Sequence, residues 1–519
     1  MSPPTNAQRP QAPTGPLAHI PVEILLRITS FLSTTELGNV RLTCRSLEQS
    51  LFHFFSHEFF RKKQFMVFTD SLQALIDISK HPALSRVLKH VIIATDGLSE
   101  QTLSHIQVQG SNGQADDTNL FSQGYLAQAD QHHLLDSGGL KDMLAEAFRN
   151  LPNLDTLDIR DFNSSTRNRD GEGARWTSYG SKTLARRISP MGDGLSLSNC
   201  HARHRFPDQI FSAMVAALAA ADAHPLQIHI NIRSNKSYRQ PWDLSDKAFY
   251  IPPRLETPLE SILGGLTTLH LSLSANDAVY VRDPKCPSPF MLHRFLSLTP
   301  NLTWLRLNMS PQPPAQPGAV PPWECVFKWI IDESTQAHAH PSSPYQTQPI
   351  RFSKLEQLDI GHVVMAERTL FQLVSRLASS LKTLSLRRVV LLQPQDADSD
   401  KATGWAHLIK HIGALHGVDI REMNLAFLQD GYSFRRRYGW VKNNVNFVAH
   451  GGSTRRITER SFQGTSTPAI VAQILRDILA PIPSAIAPGD SSDGGDSSDA
   501  SGVSDSDDSD DSEEEMDVD

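Results

Sequence analysis

Apolar residues recur at helical spacing from Pro21 to Phe55. Val22 to Leu32 runs without a breaker behind a proline suited to a first helical turn. Ser33-Thr34-Thr35-Glu36 has the layout of a capping box, in which the serine hydroxyl and the glutamate carboxylate each accept from the other's backbone N–H. A second helix through Leu37, Val40 and Leu42 is expected to start there. Thr43 stands where it can cap a third, with Leu47, Leu51, Phe54 and Phe55 on one face. The first helix carries two apolar stripes, Val22/Leu25/Leu26/Leu32 and Ile24/Ile28/Phe31, and leaves Glu23, Arg27, Thr29 and Ser30 for water. A helix apolar nearly all round is buried on most sides. Three short helices lack the bulk to cover both stripes, so one is expected to meet the following domain or a partner chain.

The pattern then changes period. A strand-like Phe65–Thr69, a helix bearing Leu72, Leu75 and Ile76 capped by Asp70 or Ser71 and stopped at His81-Pro82, and a strand at Val87–Ala94 form a β, α, β order, which favours parallel pairing. Further on, the phrase Leu-x-x-Leu-x-Leu recurs at Leu88/Val91/Ile93, Leu154/Leu157/Ile159, Leu266/Leu269/Leu271, Leu302/Leu305/Leu307, Leu355/Leu358/Ile360, Leu381/Leu384/Leu386 and Ile420/Met423/Leu425. Several copies follow a helical stretch. This is leucine-rich-repeat grammar, in which alternate apolar strand residues point into a stacked core. The spacing is irregular. Only the step from 355 to 381 falls in the usual repeat length of roughly 20–29 residues, so a diverged copy near Leu226–Ile230 and long loops at Gln107–Gly138, Asn163–Pro207, Ser310–Pro322 and Thr335–Gln348 are expected. An ordinary α/β domain with leucine-rich strands is the alternative.

Composition confines order to the middle of the chain. The net charge of −7 over 519 residues becomes +7 for residues 1–489 once the fourteen acids of Asp490–Asp519 are set aside. That tail, and the Pro-rich start at residues 1–16, are too polar to fold alone. Ser504 and Ser512 each precede an acid by three residues, a context for acidophilic kinases, though a solubilising role suffices. The start lacks the parts of a secretory signal, no stretch is long and apolar enough for a membrane span, and Cys44, Cys200, Cys286 and Cys325 show no paired spacing. Reduced thiols in the cytoplasm, the nucleus or both are expected. The mild positive balance elsewhere gives no case for nucleic acid.

Ile20-Pro21-Val22-Glu23-Ile24-Leu25, Ile28, Phe31-Leu32, Leu37 and Arg41-Leu42-Thr43-Cys44-Arg45 followed by Leu47 resemble the F-box pattern. Ile20, Thr43 and Ser46-Leu47 depart from the commonest residues. The stretch after the box is similar to that in F-box proteins of filamentous fungi. The resemblance implies a Skp adaptor as partner, and through it a cullin, with Ile20, Pro21, Val22, Leu25, Ile28, Phe31, Leu32, Leu37 and Val40 supplying the contact. The fold expected is α/β: a disordered leader at 1–16, a three-helix F-box at 17–62, an irregular leucine-rich-repeat-like solenoid with long loops at 63–485, and a disordered acidic tail at 486–519. The function implied is that of a substrate-recognition subunit of a Skp–cullin–F-box ubiquitin ligase recruiting a client protein. A non-degradative interaction scaffold is the alternative. In a solenoid the strand-lined face holds other proteins, here presenting Asp155, Asp158, Arg160, His270, Trp304, Arg306, Asn308, Asp359, Arg387 and Arg388, none of which the sequence singles out as client-binding.

Catalytic chemistry finds little support. His53 and His57 have the spacing of a zinc-gripping pair, but Phe54 stands where a zincin has glutamate. Cys200, His201 and His204 lack a second cluster. No Walker, dinucleotide or nucleophile-elbow motif occurs. The run Phe434–Trp440 interleaves arginines with aromatics, as single-strand nucleic-acid grooves do, and equally fits a basic loop. No catalytic residue, no metal and no cofactor is therefore assigned.

Overall fold

The computed structural model of the chain describes residues 20–98, 115–163, 168–171, 177–188, 205–233, 243–274, 290–309, 323–332, 349–392, 404–435, 439–448 and 456–479. These all belong to one unit, Met1–Pro481. The leader, the acidic tail, Cys200, His201, His204 and the expected loops Ser310–Pro322 and Thr335–Gln348 lie outside the described residues. No described helix is long and apolar enough to cross a membrane.

Three helices come first among the described residues: α1 (Val22–Thr29), α2 (Thr34–Thr43) and α3 (Arg45–Phe60). The capping box forms as its residues predict, with Ser33 N–H donating to Glu36 at 2.8 Å and Glu36 N–H to Ser33 Oγ at 3.3 Å. Thr43 does not cap α3. Its hydroxyl donates back to Val40 C=O at 2.7 Å and closes α2, so Cys44 takes the N-cap position without a side-chain bond. Leu25, Leu37, Leu47, Leu51 and Phe59 form the small core of this module.

The chain leaves α3 at Phe60 and enters β1 (Lys62–Met66) two residues later. Then come α4 (Thr69–Lys80), α5 (Leu84–Val87), β2 (His90–Ala94), β3 (Thr156–Arg160), β4 (Gln227–Asn231), β5 (Thr268–Leu273), β6 (Trp304–Met309) and β7 (Gln357–Gly361), followed by strands Thr383–Arg387, Glu422–Ala426 and Glu459–Gln463. These ten strands form one sheet in chain order, parallel throughout except for the last. The seven leucine phrases, together with the diverged copy near Leu226–Ile230, which is β4, end on eight consecutive members of this ladder.

Register explains the pattern. Leu157, Ile228, Leu269, Leu305, Leu358, Leu384 and Met423 are paired across neighbouring strands in one row, and none is more than 2% exposed. Side chains alternate across a sheet, so this row and the one two residues on face the intervening helices and share one core with them. On the opposite face, the helix Ser181–Ile188 covers Met66 at the β1 end through Leu184, Ala185 and Ile188.

Two expected loops contain helices. Gln107–Gly138 includes Ala115–Asp136, and Asn163–Pro207 includes Ser181–Ile188 and a 3-10 turn at Asn168–Asp170. The cap of α4 also differs from expectation. The helix starts at Thr69, whose N–H and hydroxyl donate to Asp130 at 2.8 and 2.6 Å. Ser71 instead accepts from Met66 N–H and donates to Tyr179 C=O, both at 2.9 Å.

A small second sheet joins Val364–Ala366, Val390–Leu392, Gln429–Arg435 and Gly439–Asn444. His362, Arg388 and Phe427, each the residue after a strand of the main sheet, share a left-handed backbone with φ of 59°, 52° and 50°. Three successive units therefore turn the chain in the same way.

Candidate functional site

α1 presents one stripe inward and one outward. Leu25 is 3% exposed and Leu37 fully buried, so both expected contact residues are core of the module. Ile20, Leu32 and Val40 are partly buried against that core. Pro21, Val22, Ile28 and Phe31 remain at the surface, Phe31 at 75% exposure. Ile24 and Leu42, absent from the expected set, are exposed at 54% and 84%. Ile24 was legible, since it shares the i, i+4, i+7 stripe of Ile28 and Phe31. Arg27 lies 5.3 Å from the Phe31 ring centre.

This module is clasped by the turn Asn168–Asp170. The Arg169 guanidinium donates to both carboxylate oxygens of Glu58 at 2.8 and 2.9 Å, to Leu32 C=O at 2.8 Å, and to Thr29 C=O. Thr29 C=O, which also accepts from Leu32 N–H at 3.2 Å, closes α1, and Leu32 lies in the turn that follows. Asp170 accepts from Thr34 N–H and Thr34 Oγ1, both at 2.7 Å, and supplies negative charge at the positive end of α2. Arg61 C=O accepts from Lys89 and His90 N–H groups at 2.9 and 3.0 Å, tying the end of α3 to the start of β2. The apolar stripe thus has a set direction relative to the strands.

The face of the sheet opposite the helices carries a polar row. Asp158, His229, His270, Arg306 and Asp359 are cross-strand neighbours. Burial pushes the Asp158 carboxyl up, but Arg160 with His90 and His229 outweighs it and holds the group below the usual carboxylate range. Burial lowers His229 to about 4, against the opposing charge of Asp158, and puts His270 well below the ordinary imidazole value, with neighbouring positive charge adding to both. Both rings are therefore neutral near pH 7. They stack at 4.2 Å, and His270 meets Trp304 edge-on at 4.4 Å. Trp304 Nε1–H and Arg306 Nε–H both donate to Asp359, at 2.9 and 3.1 Å. Of the expected face residues, Asp158, Arg160, His270, Trp304, Arg306 and Asp359 come together here. Arg387 and Arg388 sit farther along, each 5.4 Å from the Phe427 ring centre, beside a cavity of about 300 Å³ lined by His362, Val390 and Asn444. Asp155, just before β3, accepts from the hydroxyl of Thr156 at 3.1 Å.

The His53 and His57 rings stack at 4.2 Å, and His57 Nδ1 lies 2.9 Å from His53 C=O. They do not belong to a group of three potential metal ligands among the described residues. At the described ends of the basic-aromatic run, Phe434 and Trp440 are register partners on antiparallel strands. No curated protein matches this chain. Residues 17–58 match the family model described as F-box-like, so the chain carries an F-box-like domain, a module that in general binds the Skp adaptor of SCF-type ligases.

Proposed function

We propose that the chain is a substrate-recognition subunit of a Skp–cullin–F-box ubiquitin ligase. The observation that carries this reading is the exposed stripe Ile24, Ile28 and Phe31 on an F-box-like module whose own core is already complete. An apolar stripe of this kind, rimmed by polar residues, is what a protein interface uses as its anchor. A standard interface hides about 800 Å² per partner, with a few large apolar side chains dominating.

The platform is read as leucine-rich-repeat-like. Strand order following chain order, leucines in one register and the repeated left-handed residue after three strands support that reading. The half-buried members of the polar row, His229, Trp304 and Arg306, and the Arg388–Phe427 cavity are its candidate client contacts. The chain itself makes and breaks no bonds. A client held on the platform is brought to the ligase's ubiquitin-loaded partner, and rate comes from raised effective concentration. This work takes place in the cytoplasm or nucleus.

The test compares protein abundance and ubiquitination in cells carrying the wild-type chain or the full-length Ile28→Asp, Phe31→Asp variant. A ligase receptor leaves a set of proteins that bind both chains, lose ubiquitin and accumulate with the variant. Bound proteins whose ubiquitination and abundance stay the same would make the chain a non-degradative scaffold.

A further inference from the structure

We propose that Glu367, His407 and His411 form a binding site for a divalent transition-metal ion of the zinc class, bridging two neighbouring helices. His407 and His411 lie one turn apart on the helix Gly404–Gly413, so both rings leave the same face, with centroids 4.0 Å apart. Glu367 is the first residue of the helix Glu367–Leu377, and its Oε1 lies 2.6 Å from His407 Nδ1. One ligand atom from each of the three residues falls within 4.8 Å of the other two. A zinc ion held at about 2.0–2.2 Å by tetrahedral ligands sets those ligands about 3.3–3.6 Å apart. The cluster reaches that spacing by side-chain torsions alone, because His407 and His411 are exposed and Glu367 is partly so.

The donor set defines the ion. Two imidazole nitrogens and one carboxylate suit zinc, cobalt, nickel or copper, whereas magnesium and calcium prefer all-oxygen shells. Three protein ligands leave a fourth position to water. His411 is in the last turn of its helix, where the backbone carbonyls favour a cation.

Position gives the site a consequence. Glu367 follows the short strand Val364–Ala366, and Trp405, on the helix that carries the histidines, donates from Nε1 to Gln429 C=O at 3.0 Å. An ion held here pins two adjacent helices and the strands beneath them. Asp430, next to Gln429, is raised to about 7 by burial, against the backbone donor of Trp405, with the charge of Glu367 a smaller contribution in the same direction as burial.

The experiment uses the full chain, stripped with a chelator and titrated with Zn²⁺ by calorimetry, with Co²⁺ as a spectroscopic probe. Wild type, His407→Ala/His411→Ala, Glu367→Gln and His53→Ala/His57→Ala are compared after their metal-free melting curves are shown to agree. The proposal expects the first double variant to lose one Zn²⁺ equivalent and the matching cobalt absorption. Glu367→Gln should weaken that equivalent at least tenfold, and the His53/His57 variant should keep it. Unchanged Zn²⁺ stoichiometry and affinity in the His407/His411 variant would overturn the proposal and leave a plain surface ion pair. So would loss of the same equivalent from the His53/His57 variant.

Discussion

Arg169 grips Glu58 through both carboxylate oxygens, across 111 residues of chain, with only 8% of the arginine side chain exposed. The same guanidinium serves the carbonyls of Thr29, the last residue of α1, and of Leu32, so one side chain joins α1 and α3. Charge-assisted, bidentate bonds of this kind are the strong ones.

Arg169→Met keeps the stem and removes the fork. It is expected to cost about 2–3 kcal/mol, because Glu58 and the two carbonyls lose a charged donor. Amide hydrogen exchange checks this. Residues 22–43 should exchange faster in the variant while β3 to β7 keep wild-type protection. Equal acceleration throughout would mean that the clasp is part of the global fold.

Leu305 stands in the middle of the aligned apolar row and is 1% exposed. Leu305→Ala removes buried methyl groups and leaves a cavity, at an expected cost of about 3–4 kcal/mol. Urea unfolding should show a lower midpoint with the transition still single. A second transition confined to the strands after β6 would show that the sheet does not melt as one cooperative unit.

His293 stacks on Trp329 at 4.5 Å, and burial holds its imidazole down at about 3. The unfolded chain takes up a proton near pH 6.5 and the folded chain does not until near pH 3. Its contribution is therefore fully present above about pH 6.5 and is lost as pH falls through that window, by roughly 2 kcal/mol at pH 5. His293→Phe should show a smaller stability loss between pH 7 and pH 5 than wild type. The difference between the two proteins is the readout, since Asp96 and Asp161, raised by burial to about 6, act in the opposite sense.

The apolar periodicity carried much of the fold. The seven leucine phrases mark strands because alternate residues must reach one core, and the capping box marks the start of α2 because its bonds are local. What the sequence hid was long-range or polar. The helix Ala115–Asp136 buries Gly124, Gln128, Gln131 and Leu134 on one face. Only one of these is a large apolar residue. Gln128 and Gln131 are buried because their side-chain amides reach Leu98 and Asp96 carbonyls. The role of Asp130 as a cap for α4 joins residues 61 apart, and nothing near Thr69 announces it. On α1 the sequence found both stripes but not which one faces in. Leu25 pairs inward with Leu37 and Leu51, so Ile24 belongs to the surface in its place.

We propose the outward stripe of α1 as the adaptor contact. Its most direct measurement is the affinity of the purified Skp adaptor for the full chain and for Ile24→Asp, Phe31→Asp, by calorimetry with melting curves alongside. Melting should be unchanged, since both side chains are more than half exposed, and affinity should fall at least a hundredfold. Wild-type affinity in the variant, with its fold intact, would contradict this proposal.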